Sequence, residues 1–153
     1  DAAVNPGGSG GALVDAEGRL VGIVSAIFTK QSDANIGVNF AAAMELVQRV
    51  VGDIKDHGGI KIGWSGLMVV PLSPEDRRKW SGARVARIIP GSAAESSDLE
   101  VGDIVTRIDD RPIALPSDVR AAIFMRRPGD TVLVRYRRGG KDAETGLTLK
   151  ASR

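Results

Sequence analysis

Hydrophobic positions fall into two rhythms in the first third of this chain. Short apolar runs at Ala12–Val14 and residues 20–24 flank Asp15-Ala16-Glu17-Gly18. This predicts two strands joined by a hairpin loop, with Gly18 where a positive φ is wanted. A third β segment is expected over residues 36–40, behind the loop-like stretch Gln31-Ser32-Asp33-Ala34-Asn35. The period then changes. Ala43, Leu46, Val47, Val50, Val51 and Ile54 recur at helical spacing and predict one apolar stripe. Glu45, Gln48, Arg49 and Asp53 are expected to face away from it. His57-Gly58-Gly59 ends that helix, with glycine as its C-cap. The stretch 55–62 reads as a linker, so the expected organisation is a first segment 1–54 and a second domain 63–150.

Beyond the linker the pattern becomes a mixture of strands and short helices. Residues 61–70 are extended, and residues 74–80 suit one or two helical turns. A strand over 84–89 is closed by Pro90-Gly91, and Ser92 is placed to cap a short helix over 92–97. Residues 104–108 form a strand ended by Asp110-Arg111-Pro112. Ser117 is expected to cap a second helix, with Val119, Ala122, Ile123 and Arg126 on one face. Pro128-Gly129-Asp130 stops it. Residues 131–138 alternate, with Val132, Val134 and Tyr136 on one side. Arg138-Gly139-Gly140-Lys141 then turns into a return strand over 143–150. Two helices among five or six strands in roughly 90 residues make a small, partly open, barrel-like α+β domain. The chain as a whole is mainly β with α+β character.

Composition narrows the functional classes. Cysteine is absent from the 153 residues, which excludes a disulfide framework, a thiol nucleophile and a thiolate metal site. No metal or cofactor is expected. The net charge of +2 argues against a general nucleic-acid binder. No apolar run approaches the ~18 residues of a membrane span, and no signal peptide is visible. The chain opens at Asp1 rather than Met. It is therefore expected to be a piece of a longer protein, with any export signal lying outside it.

The sharpest chemical signal is Asn5-Pro6-Gly7-Gly8-Ser9-Gly10-Gly11-Ala12-Leu13. A serine between glycines can sit on a tight turn with its hydroxyl exposed. Consecutive N–H groups in such a turn can converge on a developing oxyanion. From these residues alone, a flexible Gly/Ser turn is the simpler reading. The surroundings change that. Asp1-Ala2-Ala3-Val4-Asn5-Pro6-Gly7, the serine core, Gly18-Arg19-Leu20-Val21-Gly22-Ile23 and Ile36-Gly37-Val38-Asn39-Phe40-Ala41 together resemble the HtrA/Deg family of trypsin-like serine proteases. The resemblance implies that Ser9 is the nucleophile and that the N–H groups of Gly7 and Ser9 form the oxyanion hole. It also implies that Ile23-Val24-Ser25 lies beside the substrate. Two departures stand out: Gly8 replaces the usual Asn, and Ala42-Ala43 replace Ile-Pro.

A serine hydroxyl needs a base to take its proton, and in trypsin-like proteases the His and Asp precede the Ser. Eight residues precede Ser9, and the sole histidine is His57. His57 reads as a solvated helix-terminal residue at the favourable end of the helix dipole. The chain alone is therefore expected to be proteolytically inactive, with hydrolysis belonging to the longer parent. Residues 1–54 correspond to part of a second β-barrel. Leu13, Val21, Ile23, Val24, Ile27 and Phe28 are expected to be partly uncovered, and the segment to be disordered, to cover the second domain or to pair with another chain.

Residues 63–150 resemble the PDZ domain that follows the protease in the same family. The resemblance rests on Gly63-Trp64-Ser65-Gly66-Leu67, Pro90-Gly91-Ser92-Ala93-Ala94, Leu99, Gly102-Asp103-Ile104-Val105, Arg111-Pro112-Ile113, Pro128-Gly129-Asp130 and Arg137-Arg138-Gly139-Gly140-Lys141. It implies β-augmentation: a peptide adds as a strand beside residues 67–70. The peptide's carboxylate would be held in the loop Trp64-Ser65-Gly66-Leu67. Leu67, Val69, Val119 and Ile123 would line a pocket for an apolar terminal side chain, although Val119 and Ile123 equally suit a core. Ser65 stands where the family is usually apolar, and either adds a hydroxyl donor or loosens the loop. Ser97-Asp98 and Asp109-Asp110 replace glycine-containing turns and are expected to carry slight strain. Arg126, Arg127, Arg135, Arg137, Arg138 and Lys141 read as a solvated basic rim.

The function implied by the resemblance is that of a periplasmic or otherwise exported protein-quality-control endopeptidase whose PDZ domain binds C-terminal or unfolded peptide segments. The parent is expected to be a homo-oligomer. The alternative is a non-catalytic PDZ scaffold or pseudoprotease.

Overall fold

The computed structural model describes residues 7–29 and 35–151, with side chains described outside 26–29 and 35–39. The chain divides into two compact units, Asp1–Ile60 and Lys61–Arg153.

In the first unit, β1 (Ala12–Val14) and β2 (Leu20–Thr29) form the expected hairpin, and β3 (Asn35–Ala43) pairs with the other edge of β2. All pairings are antiparallel, with Ala12 opposite Ile23 and Ile23 opposite Ala42. The sheet is open rather than closed into a barrel. The hairpin loop is held by Asp15, whose carboxylate accepts the Glu17 N–H at 3.0 Å and the Arg19 N–H at 2.9 Å. The Arg19 amide, then its guanidinium, hold the Asp15 carboxyl below the ordinary carboxylate value.

Helix α1 (Met44–His57) follows β3 directly and packs against β2 and β3. The helix begins one residue later than the apolar stripe, because Ala43 completes the strand. It ends on Gly58 at φ +70°, whose N–H reaches the Ile54 carbonyl at 2.9 Å. Residues 55–57, expected in the linker, are its last turn. The facing of α1 departs from expectation. Asp53 is completely buried and ion-paired with Arg49, whereas Val51 and Ile54 are about half exposed. Periodicity defines a stripe but not which flank meets a neighbour. An i,i+4 Arg–Asp pair can be buried because each charge neutralises the other.

The uncovered surface expected here is present at Val21, while Leu13 and Ile23 are half-buried. Val24 is buried, a correction: it sits mid-strand in β2, the central strand. Ile27 and Phe28 lie outside the described side chains. Among the described residues, the segment forms β1 to β3 and α1.

The second unit is built on a six-stranded antiparallel sheet. Its strands are β5 (Leu67–Pro71), β6 (Ala83–Ile88), β7 (Ile104–Ile108), β8 (Arg111–Pro112), β9 (Thr131–Arg138) and β10 (Lys141–Thr148). The order is β10-β9-β7-β6-β5, with β8 paired to β7. A second, two-stranded sheet joins β4 (Gly63–Trp64) to β11 (Lys150–Ala151). Helices α2 (Pro74–Arg77) and α3 (Pro116–Phe124) and a 3-10 turn at Ala94–Ser96 complete it. The predicted alternation of β9 holds: Val132, Val134 and Tyr136 are buried. They share one core with Val85, Val105, Ile108, Ile113, Leu147 and Leu149.

Helix α3 is capped differently from the expectation. Pro116, not Ser117, opens it, and the Asp118 carboxylate reaches back to the N–H groups of Ala114 at 2.9 Å and Leu115 at 2.8 Å. Proline at the first position lacks the N–H a cap would satisfy, which leaves the upstream amides to the aspartate. Near residue 92 the expectation holds more closely. Ser92 Oγ accepts the Glu95 N–H at 3.3 Å, and the Glu95 carboxylate takes the Gly91 N–H at 2.6 Å. The two bonds brace a 3-10 turn rather than an α-helix, with Glu95 reaching one residue beyond Ser92.

Candidate functional site

The serine-glycine motif of the first unit folds into a β-turn. Gly8 accepts the Gly11 N–H at 3.0 Å, which places Ser9 and Gly10 at the corner. Gly10 has φ +84°, the value required at the third position of a type II turn. Two further bonds tie the turn to β2: Gly10 N–H to the Val24 carbonyl at 2.8 Å and Val24 N–H to the Gly11 carbonyl at 2.9 Å. Ser9 is exposed, and Gly7 stands ahead of it at φ +94°. Among the described residues the Ser9 hydroxyl has no hydrogen-bond partner. His57 is exposed in the last turn of α1.

The second candidate is the edge of the six-stranded sheet. β5 has a ladder partner, β6, on one side, and α3 packs against it. The loop Trp64-Ser65-Gly66-Leu67 leads into this edge. Both carbonyls at its centre are satisfied internally: Ser65 C=O accepts the Ala94 N–H at 2.9 Å, and Gly66 C=O accepts the Ile89 N–H at 3.0 Å. With both carbonyls engaged, the Gly66 N–H is left without a partner among the described residues, while the Leu67 N–H is taken by the Ser65 hydroxyl. Gly66 has φ +73°, and a Cβ there would lie 2.0 Å from the Ser92 Cβ. Only glycine permits this approach.

Ser92 is fully buried beneath the loop. Its carbonyl and that of Gly91 receive the Lys150 ammonium at 3.1 and 2.7 Å. Ser92 and Lys150 were not among the expected site residues. The capping signature at 90–95 marked Ser92, but its role under Gly66 depends on a contact between distant segments. Ser65 is buried, and its hydroxyl accepts the Leu67 N–H at 3.2 Å.

Leu67 and Val69 are half-buried against the core, and Val119 and Ile123 are inside it at 3% and 8% exposure. Trp64 is half-buried in β4. The structure therefore gathers the loop residues, the β5 edge and the apolar face of α3 into one region of the second unit.

The strained turns resolve unequally. Asp109 has φ +49°, whereas Asp98 is not in the left-handed region. Asp109 is held by its side chain, which accepts the Leu133 N–H at 2.9 Å and pairs with Arg126 at 2.5 Å. The basic rim is extensively paired: Arg135 with Glu144, Arg137 with Asp142, and Arg138 with Asp103 and Glu100. Arg137 also lies 3.9 Å from the centre of the Trp80 ring. Such pairing reduces the attraction of this face for anions.

Comparison with known proteins places these features in context. A family described as PDZ domain matches residues 35–149. The periplasmic serine endoprotease DegP of Escherichia coli is 32% identical over 157 residues, covering 99% of this chain and 33% of that protein. A probable periplasmic serine endoprotease, DegP-like, of Hahella chejuensis is 31% identical, covering 97% of this chain and 33% of its own length. The chain thus spans about a third of the curated relatives it matches. Among solved structures, the HtrA-type protease AlgW with tripeptide superposes with a TM-score of 0.72 at 33% identity. That match covers 100% of this chain and 52% of the other. AlgW with decapeptide gives 0.69 at 31%, covering 98% and 47%.

Proposed function

The chain belongs to the PDZ domain family, within a group of HtrA-type serine protease relatives, and from this we propose that its second unit binds peptide C-termini by β-augmentation. The observation that carries the reading is the edge strand β5 with α3 packed against it and a glycine-anchored loop at its start. A peptide strand adds its main-chain hydrogen bonds to the β5 edge, and its carboxylate is received by the amides of the 64–67 loop. An apolar terminal side chain packs on Leu67 and Val69 over Val119 and Ile123. The AlgW structures named for a tripeptide and a decapeptide support the same use of this fold.

In the longer protein, Ser9 is the nucleophile of a serine endopeptidase, with the N–H groups of Gly7 and Ser9 as oxyanion donors. The exposed, glycine-framed turn supports this. The periplasmic relatives support an exported protein, and action in protein quality control and assembly as a homo-oligomer are part of the same reading. A second reading, a PDZ scaffold without catalysis, is favoured by Gly8 in place of the family's usual Asn. A His and an Asp at trypsin-like positions ahead of Ser9 separate the two in favour of the enzyme.

The test is titration calorimetry with peptides ending in an apolar residue, each also amidated at its C-terminus. Binding at about micromolar Kd, near −8 kcal/mol, is expected for the free carboxylates. Amidation is expected to abolish it. Equal binding of both forms would overturn the carboxylate site.

A further inference from the structure

The 64–67 loop differs from an open row of donors in one respect: a donor facing the sheet edge is already taken. Ser65 Oγ accepts the Leu67 N–H at 3.2 Å, and Ser65 is only 7% exposed. The Gly66 N–H, in contrast, donates to nothing among the described residues. The backbone around the hydroxyl is fixed. The Ser65 carbonyl is bound to Ala94, the Gly66 carbonyl to Ile89, and Gly66 lies against the fully buried Ser92. The hydroxyl therefore cannot leave its acceptor position by moving the loop. It leaves by rotating about its own side chain.

We propose that Ser65 is a built-in competitor for the ligand carboxylate, latching the Leu67 N–H until a C-terminus displaces it. The proposal rests on the peptide-binding reading above and specifies how that site is regulated. A neutral hydroxyl acceptor keeps the Leu67 amide satisfied in the free protein. A carboxylate is a stronger acceptor than a hydroxyl, because hydrogen bonds to a charged partner are worth more than neutral ones. It can take the amide from Ser65, but its binding energy is reduced by the bond it breaks. The latch thus lowers affinity for every C-terminus that uses Leu67. Ligands that pair only with the strand edge leave it closed.

The experiment uses the whole 153-residue chain, as wild type and Ser65→Ala, with one peptide ending in a valine carboxylate and its C-terminal amide. Removing a neutral intramolecular hydrogen bond corresponds to about two- to tenfold in affinity. Ser65→Ala is therefore expected to bind the carboxylate peptide about two- to tenfold more tightly, with the amide remaining the weaker ligand. Equal or weaker binding by Ser65→Ala, with wild type still binding, overturns the latch and leaves the peptide reading intact. Absence of binding by both overturns the peptide reading, and the latch with it. Amide hydrogen exchange in free wild type supplies a readout independent of the variant's folding. The Leu67 amide is expected to exchange more slowly than that of Gly66, and comparable rates would overturn the latch.

Discussion

Asp109 shows how one side chain can offset an unfavourable backbone. Its φ of +49° lies in the left-handed region, which most L-residues enter at a cost of roughly 1–2 kcal/mol. The carboxylate returns part of that through the Leu133 amide and Arg126, while the Asp109 N–H reaches the Leu133 carbonyl at 2.8 Å. Asn shares the tolerance for this conformation and keeps an acceptor for Leu133. Asp109→Asn is expected to stay within about 0.5 kcal/mol of wild type in urea unfolding, and Asp109→Ala to lose about 1–2 kcal/mol. Equal stabilities for the two variants would mean that the side-chain bonds contribute nothing. Gly66 is the opposite case, in which no side chain is tolerated. The Cβ of Gly66→Ala would meet Ser92 at 2.0 Å, so the loop must shift. The variant is expected to lose peptide binding by more than tenfold, a change that calorimetry reads directly.

Elements followed the sequence where a local rule and the tertiary environment agreed. The β9 alternation is legible because burial on one face imposes a period of two, and the buried set Val132, Val134 and Tyr136 obeys it. The Arg138–Lys141 turn is legible because Gly139 and Gly140 both take positive φ. Two readings failed because several residues could play one local role. Ser117 is a plausible cap in sequence, but Pro116 occupies the first helical turn and Asp118 takes the upstream amides. Arg49 and Asp53 look like a solvated face, yet the pair is buried. The candidate site was legible in its backbone loop and edge strand. Its support by Ser92 and Lys150 was not, because residues 25 and more apart in sequence meet there.

The α3 cap carries a pH signature. The amides of Ala114, then Leu115, hold the Asp118 carboxyl below its ordinary value. The ionised form accepts these bonds best, so its stabilisation is complete above the ordinary carboxylate value of about 3.9. It is lost as pH falls through the lowered value. Wild type is therefore expected to exceed Asp118→Asn in stability at neutral pH, with the gap narrowing as pH falls below the ordinary carboxylate value. A gap independent of pH in urea melts would show that the charge plays no part.

At the scale of the whole molecule, the two units differ in how much core each owns. The apolar core cluster runs from Ala83 to Leu149, entirely within Lys61–Arg153. Among the described residues of Asp1–Ile60, Val24 is the one buried apolar side chain. Tertiary ties also concentrate in the second unit. Arg138 forks onto the buried Asp103 carboxylate at 2.8 Å on both nitrogens and reaches Glu100, so it joins β9 to the loop before β7. The Asp103 hydrogen bond, reinforced by its charge, raises the Arg138 pKa. Arg138→Ala would leave Asp103 buried without its partner. It is expected to lower Tm more than Arg135→Ala, which removes only an exposed pair with Glu144.

The same asymmetry separates binding from chemistry. Nucleophilic attack by Ser9 requires a base to accept its proton, and the single histidine of these 153 residues is exposed at the end of α1. The chain is expected to resist labelling by a fluorophosphonate, and Ser9→Ala to leave peptide affinity unchanged. Label on Ser9, found by peptide mass mapping, would show that the turn is activated within this chain. Residues 61–153 alone are in turn expected to unfold cooperatively and to bind the carboxylate peptide with the Kd of the whole chain. Their core cluster and the 64–67 loop contain no residue of the first unit. A tenfold or greater change in Kd on truncation would mean that residues 1–60 take part in recognition. An unchanged Kd would assign peptide binding to the second unit.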